Sequence, residues 1–230
     1  MSNVTGVIVS MGFVWMAAAA GPGEVRTARD RQDRPGLQEL IRKLEAAAES
    51  KPEDGKAQYR LAQAGSMLAE VSLELRLKNE ARAAAEAGIK AAEKAVALQP
   101  ANAEYHRILG TLCGQVIPAN VLAGLKYGKC AMQSVNKAIE LNPKSSDAHL
   151  SRGVGNYYLP PSFGGGVDKA IEDMTKATEL NPKNADAYVW LGVAYRKANR
   201  NKEARTALEK ALSLNPARVW AKQLLEKTPE

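Results

Sequence analysis

Four near-copies of one eight-residue phrase set the tightest limit on what this chain can fold into. "KAVALQPA" runs from Lys94 to Ala101, "KAIELNPK" from Lys137 to Lys144, "KATELNPK" from Lys176 to Lys183 and "KALSLNPA" from Lys210 to Ala217. Each reads as the end of a helix closed by a proline. Proline lacks the N–H that the helix ladder needs, and it pushes the residue before it out of helical geometry. Each copy therefore stops one helix and turns the chain into the next. The prolines also define a period. Pro182 to Pro216 is 34 residues, Pro143 to Pro182 is 39, Pro100 to Pro143 is 43 and Pro52 to Pro100 is 48. One unit, enlarged by insertions that grow toward the N-terminus, accounts for all four intervals.

A second pattern runs inside the units. Two antiparallel helices approach closely only where side chains are small. The first helix of each unit, helix A, offers Ala62, Gly110, Gly153 or Gly192, and the second, helix B, offers Gly88, Ala131, Ala170 or Ala204. Seven residues after each of the latter stands Ala95, Ala138, Ala177 or Ala211, on the same helix face. Composition agrees. Hydrophobic residues make 45%, aromatics only 5%, and the chain is rich in Ala, Leu, Lys and Glu, which favour helix. Two cysteines are too few for a disulfide scaffold. The net charge of +7 is dispersed, with no basic run of five, so the lysines and arginines decorate helix faces and no nucleic-acid partner is expected.

The last unit, "ADAYVWLGVAYRKANRNKEARTALEKALSLNP" (Ala185 to Pro216), resembles a tetratricopeptide repeat, TPR. Tyr188, Leu191, Gly192, Tyr195, Ala204, Leu208, Ala211 and Pro216 stand at the signature places of that family, and its period is the 34 residues of the last interval. The resemblance implies an all-α fold, a right-handed TPR superhelical solenoid of antiparallel helix pairs with capping helices. The expected organisation is 53–100, 101–143, 144–182 and 183–216 for the four repeats, the first two extended and the third carrying a loop insertion. Residues 37–52 and 217–230 read as capping helices, which a solenoid needs because its end repeats expose apolar faces. Residues 21–36 read as a polar linker. The insertions all fall at the helix A–helix B hairpin tips. The third contains "YYLPPSFGGG" (Tyr157 to Gly166), a loop by composition. Its glycines read as a tight turn, with partner contact as the alternative for so exposed a tip.

"NVTGVIVSMGFVWMAAAAG" (Asn3 to Gly21) is uncharged and mostly apolar and ends in a small-residue motif. Residues 1–20 are therefore expected to be a signal peptide or an N-terminal anchor, giving an exported, periplasmic chain or one associated with a membrane through this segment. Cytoplasmic residence is the alternative, since arginines follow the apolar run. Cys113 and Cys130 flank the tip of the second hairpin at comparable heights. They could form a disulfide in an exported protein, or pack as two reduced apolar residues.

No catalytic constellation stands out, so no enzyme activity, cofactor or metal is expected. His106 and His149 fall in different repeats without ligand-spaced neighbours and read as ordinary helix histidines. In the TPR family helix A lines a concave groove that binds protein segments. Carried over by position, the resemblance implies a groove formed by Tyr59, Gln63, Arg107, Thr111, Leu150, Val154, Tyr157, Tyr158, Val189, Val193, Arg196 and Lys197. Leu150, Val154, Val189 and Val193 stand where repeats that clamp a C-terminal carboxylate carry polar residues. The groove therefore reads as apolar and aromatic toward its C-terminal half, suited to a peptide with apolar anchors. The expectation is a non-enzymatic scaffold or adaptor that binds a protein or peptide there. A weaker resemblance, carried by the loop "FGGGVDKA" (Phe163 to Ala170), is to secreted bacterial TPR proteins. The alternative is a periplasmic accessory component of a solute transport system that binds a small apolar ligand.

Overall fold

The computed structural model describes residues 21–119 and 122–230; the apolar segment 1–20 lies outside the described residues. Among the described residues every regular element is helical. The proline rule operates as expected. Gln99, Asn142, Asn181 and Asn215, each just before a proline, leave the helix at φ between −138° and −142°. The asparagines add a further device. The side-chain oxygens of Asn142, Asn181 and Asn215 accept from the backbone N–H two residues on, which shapes the turn over the proline. The next helix then opens on a polar cap. Asp54, Asn102, Ser145 and Asn184 each accept from a backbone N–H of the first turn.

Four helix pairs follow one another. Gly55–Glu74 (α3) packs on Lys78–Leu98 (α4), Ala103–Val116 (α5) on Ala123–Leu141 (α6), Ser146–Tyr158 (α7) on Val167–Leu180 (α8), and Ala185–Lys197 (α9) on Asn201–Leu214 (α10). Each helix A also packs on the helix A of the next repeat, so α3, α5, α7 and α9 form one inner layer. The small residues meet within each pair. A Cβ on Gly110 would lie 2.6 Å from Val135 Cγ2 and 2.9 Å from the carbonyl oxygen of Ala131, and one on Gly192 would lie 2.7 Å from Leu208 and 3.2 Å from the carbonyl of Ala204. The helices touch backbone to backbone, and only a missing side chain permits it.

The insertions are absorbed differently along the stack. In the first pair they lengthen both helices, to 20 and 21 residues against 13 and 14 in the last. In the second they add a 3₁₀ turn, Ile117–Ala119, and lengthen α6. In the third they make a compact loop in which Gly164 and Gly166 take φ of 85° and 113°. Phe163 projects from its tip, 74% exposed.

The ends hold the largest departure from the sequence reading. Residues 21–36 are not a linker. Pro22–Asp30 forms a helix, α1, and the helix expected from residue 37 starts at Arg34 and runs to Ser50, α2. Val25 and Ala28 join the N-terminal core with Leu37, Leu44 and Leu68, while Arg29 and Asp30 are buried beside them. A segment whose inward face is half ionic has no hydrophobic period to read, which is why it passes for a linker. Val219–Glu226, α11, covers the last pair at the other end. No described helix is long and apolar enough to cross a membrane.

Candidate functional site

The inner layer encloses a cavity of about 1550 Å³ to which α1, α3, α5, α7, α9 and α11 all contribute. Its N-terminal wall is polar. Ser66 Oγ donates to Gln115 Oε1 at 3.0 Å, Gln115 Nε2 donates to the Ser66 carbonyl at 3.1 Å, and the hydroxyls of Thr111 and Ser151 bond at 3.0 Å. These bonds cross from one repeat to the next and fix the wall. Its C-terminal wall is aromatic. Trp190 meets Trp220 edge-on at 5.2 Å between ring centroids and Tyr158 at 6.3 Å. Leu125 of repeat two and Phe163 of repeat three, both strongly exposed, also border the cavity.

The expected groove residues divide into two groups. Gln63, Arg107, Thr111, Leu150, Val154 and Tyr158 line the cavity. Tyr59 stacks on Tyr105 at 5.2 Å between centroids and shares Glu104 with Arg107. Burial alone would pull the Arg107 guanidinium down, but Glu104, Tyr59 and Asp147 outweigh it and hold it above its ordinary value. The others do not reach the cavity. Val189 is fully buried in a cluster with Ala221 and Leu224 of α11, and Val193 packs against the same cluster. The terminal helix lies where a fifth repeat would pack, so it covers the fourth row of the groove. Tyr157 packs in the core between α7 and α9; Lys197 Nζ lies 4.2 Å from its ring centroid and donates to its carbonyl at 2.7 Å. Arg196 donates to the carbonyl of Lys227 at 3.2 Å.

Cys113 of α5 and Cys130 of α6 are joined by a disulfide, with Cα atoms 6.0 Å apart. The two histidines have matching structural roles: His106 Nε2 lies 2.8 Å from the Pro100 carbonyl and His149 Nε2 lies 3.1 Å from that of Pro143. Among the described residues no group of three or more His, Cys, Asp or Glu could hold a metal.

Sequence reasoning missed a buried ionic seam at one side of the cavity. Arg29 of α1 donates to both carboxylate oxygens of Asp186 on α9, at 2.8 and 3.0 Å. Asn215 donates to Asp30 at 2.9 Å, and Gln223 of α11 donates to Gln32 at 3.2 Å. Arg218, the residue before α11, is wholly buried; it donates to Glu70 at 2.8 Å and to Glu74. The seam thus ties the first repeat and α1 to the last repeat and α11. It holds four carboxylates, Asp30, Glu70, Glu74 and Asp186, against two guanidinium groups. Burial pushes the Glu74 carboxyl up to about 7, with Glu70 adding to the shift and Arg218 and Gln32 opposing it. Burial acts on Asp186 in the same sense, but Arg29 and Arg218 overcome it and hold that carboxyl below its ordinary value. The available signal was weak: these residues lie outside the repeat signature, most of them in segments read as a linker, a long hairpin and a cap.

The arrangement offers polar groups at one wall, aromatic faces at the other, and charge at the seam. A family model described as Regulator of microtubule dynamics protein 1-3 matches residues 25–159, and a tetratricopeptide-repeat model matches residues 165–227. No curated protein matches the chain. Among solved structures, TTC0263, a thermophilic TPR protein of Thermus thermophilus, is 22% identical, with 89% of this chain and 98% of that one covered and a TM-score of 0.61. YrrB, described as a TPR protein with an unusual peptide-binding site, is 21% identical over 90% and 93% of the two chains, with a TM-score of 0.44. MamA from Desulfovibrio magneticus RS-1 is 20% identical over 85% and 95%, with a TM-score of 0.43.

Proposed function

Because the chain belongs to the regulator of microtubule dynamics protein 1-3 family and carries the TPR fold of protein-interaction scaffolds, we propose that it is a non-enzymatic adaptor that binds a protein segment in the concave cavity. The observation that carries this reading is the wall shared by all four helix A elements, polar at one end and aromatic at the other. A helical or extended segment can lie along such a wall, with hydrogen bonds near Gln63 and Gln115 and an apolar anchor on Trp190. The family's name makes polymerised tubulin the first partner to try. Export, with Cys113 and Cys130 oxidised, is a competing reading, because an exported chain would not meet cytosolic tubulin.

A charged side chain placed in the cavity tests it. Ser151→Arg fills the space between the two walls and removes only one neutral hydrogen bond, to Thr111. Partners that co-purify with the wild-type chain, and tubulin in co-sedimentation, should be lost with this variant and kept with Lys94→Glu on an exposed helix B face. Partners retained by Ser151→Arg would refute the groove. A second reading, a small apolar ligand such as a transport component would carry, is favoured by the aromatic wall alone. A stabilising hit in a thermal-shift screen of apolar metabolites would support it.

A further inference from the structure

One helix of the chain, α1, forms part of the cavity wall, and its Arg29 shows what the seam recognises. α1 is nine residues long, too short to be stable alone. Its apolar contribution to the core is confined to Val25 and Ala28, within the N-terminal cluster. Its bonds to the far end of the stack are polar: Arg29 to Asp186, Asp30 to Asn215, and Gln32, just past its end, to Gln223. Arg29 Nη1 also lies 3.5 Å from Glu70, so its guanidinium is held between carboxylates of the first and last repeats. The seam's four carboxylates outnumber its two guanidinium groups, and two of the four, Glu70 and Asp186, keep 19% and 31% of their side-chain surface exposed and line the cavity.

We propose that α1 is a displaceable occupant of the seam, and that the partner is a helical segment whose arginine replaces Arg29 between Glu70 and Asp186. This rests on the reading that the concave face binds a protein segment. Such a partner would be recognised by charge and bidentate geometry at the seam, and by its apolar side at the Trp190 wall. In the unliganded chain α1 fills the seam, and binding exchanges one arginine helix for another.

The test uses the full chain and a labelled peptide of residues 21–33. Val25→Asp combined with Arg29→Ala removes the apolar and the ionic hold on α1 together. By fluorescence anisotropy, the folded double variant should bind the peptide at least tenfold more tightly than the wild-type chain, whose site is filled. A peptide with alanine at position 29 should lose at least tenfold. Equal binding by both proteins, absence of binding to the double variant while its circular dichroism is unchanged, or equal binding of the two peptides overturns the proposal. Hydrogen exchange supplies a second measure. The α1 amides of the wild-type chain should exchange at least tenfold faster than those of α3; equal protection also overturns it. If Ser151→Arg keeps its partners, the groove reading itself fails. If Ser151→Arg loses them and the peptide measurements fail, only the displaceable helix is refuted.

Discussion

Replacing Glu74 by glutamine should change how the stability of this protein depends on pH. The Glu74 side chain is 2% exposed and receives hydrogen bonds from Arg218 and from Gln32 Nε2, the latter at 2.8 Å. Burial, helped by Glu70, raises its folded-state pKa from 4.5 to about 7 despite Arg218. The folded chain therefore binds this proton more tightly than the unfolded chain does. The resulting stabilisation is complete below pH 4.5 and disappears as pH rises through about 7. A gap of this size corresponds to about 3 kcal/mol. Glutamine keeps an acceptor for Arg218 and carries no charge to desolvate. Urea unfolding of both forms, followed by tryptophan fluorescence and circular dichroism from pH 5 to pH 8, isolates the effect. Titrating groups remote from the seam are common to both proteins and cancel in the difference. Wild type should lose up to about 3 kcal/mol relative to Glu74→Gln across that range. A difference independent of pH would refute the assignment of a buried, proton-binding carboxyl to the seam.

The seam makes a second prediction. Arg218→Met leaves Glu74 with no cationic partner in the seam and should cost about 3–5 kcal/mol, a fall in Tm of roughly 10 °C; a loss below about 1 kcal/mol would show the network to be energetically idle. Gly110→Ala drives a methyl group against Val135 and the Ala131 carbonyl and should cost about 1–3 kcal/mol, whereas Gly128→Ala, with nothing within 4 Å, should gain up to about 1 kcal/mol by helix propensity; equal effects in urea titrations would contradict the close approach. Reducing the Cys113–Cys130 bond, which closes a loop of 17 residues, should lower stability by about 2–4 kcal/mol, and intact-mass measurement on non-reduced material should show two hydrogens fewer than after reduction.

Much of the architecture is legible in the chain because its signals are local and repeated. A proline after Leu-Asn ends a helix wherever it occurs, and Gly110 or Gly192 marks a helix crossing because any larger residue would separate the rods. The bonded pair Cys113 and Cys130 is legible as a pair, though spacing alone leaves oxidised and reduced forms open. The groove is half legible. Gln63, Thr111 and Leu150 reach the cavity because the repeats to either side leave their faces open. Val189 and Val193 occupy equivalent positions but belong to the last repeat, and position within a repeat says nothing about what covers it.

The sequence by itself determined the helices of the four repeats, their order, the places where they touch and the period of the stack, since each depends on steric rules acting within a few residues. Only the tertiary structure decided that the two ends of the stack meet. Arg29 and Asp186 are 157 positions apart, and no local preference announces that they pair. Curvature, accumulated over four repeats of unequal length, brings them together. Once buried, each charge must find an opposite charge or a hydrogen-bond partner, and that requirement turns a polar stretch before the first repeat into a helix.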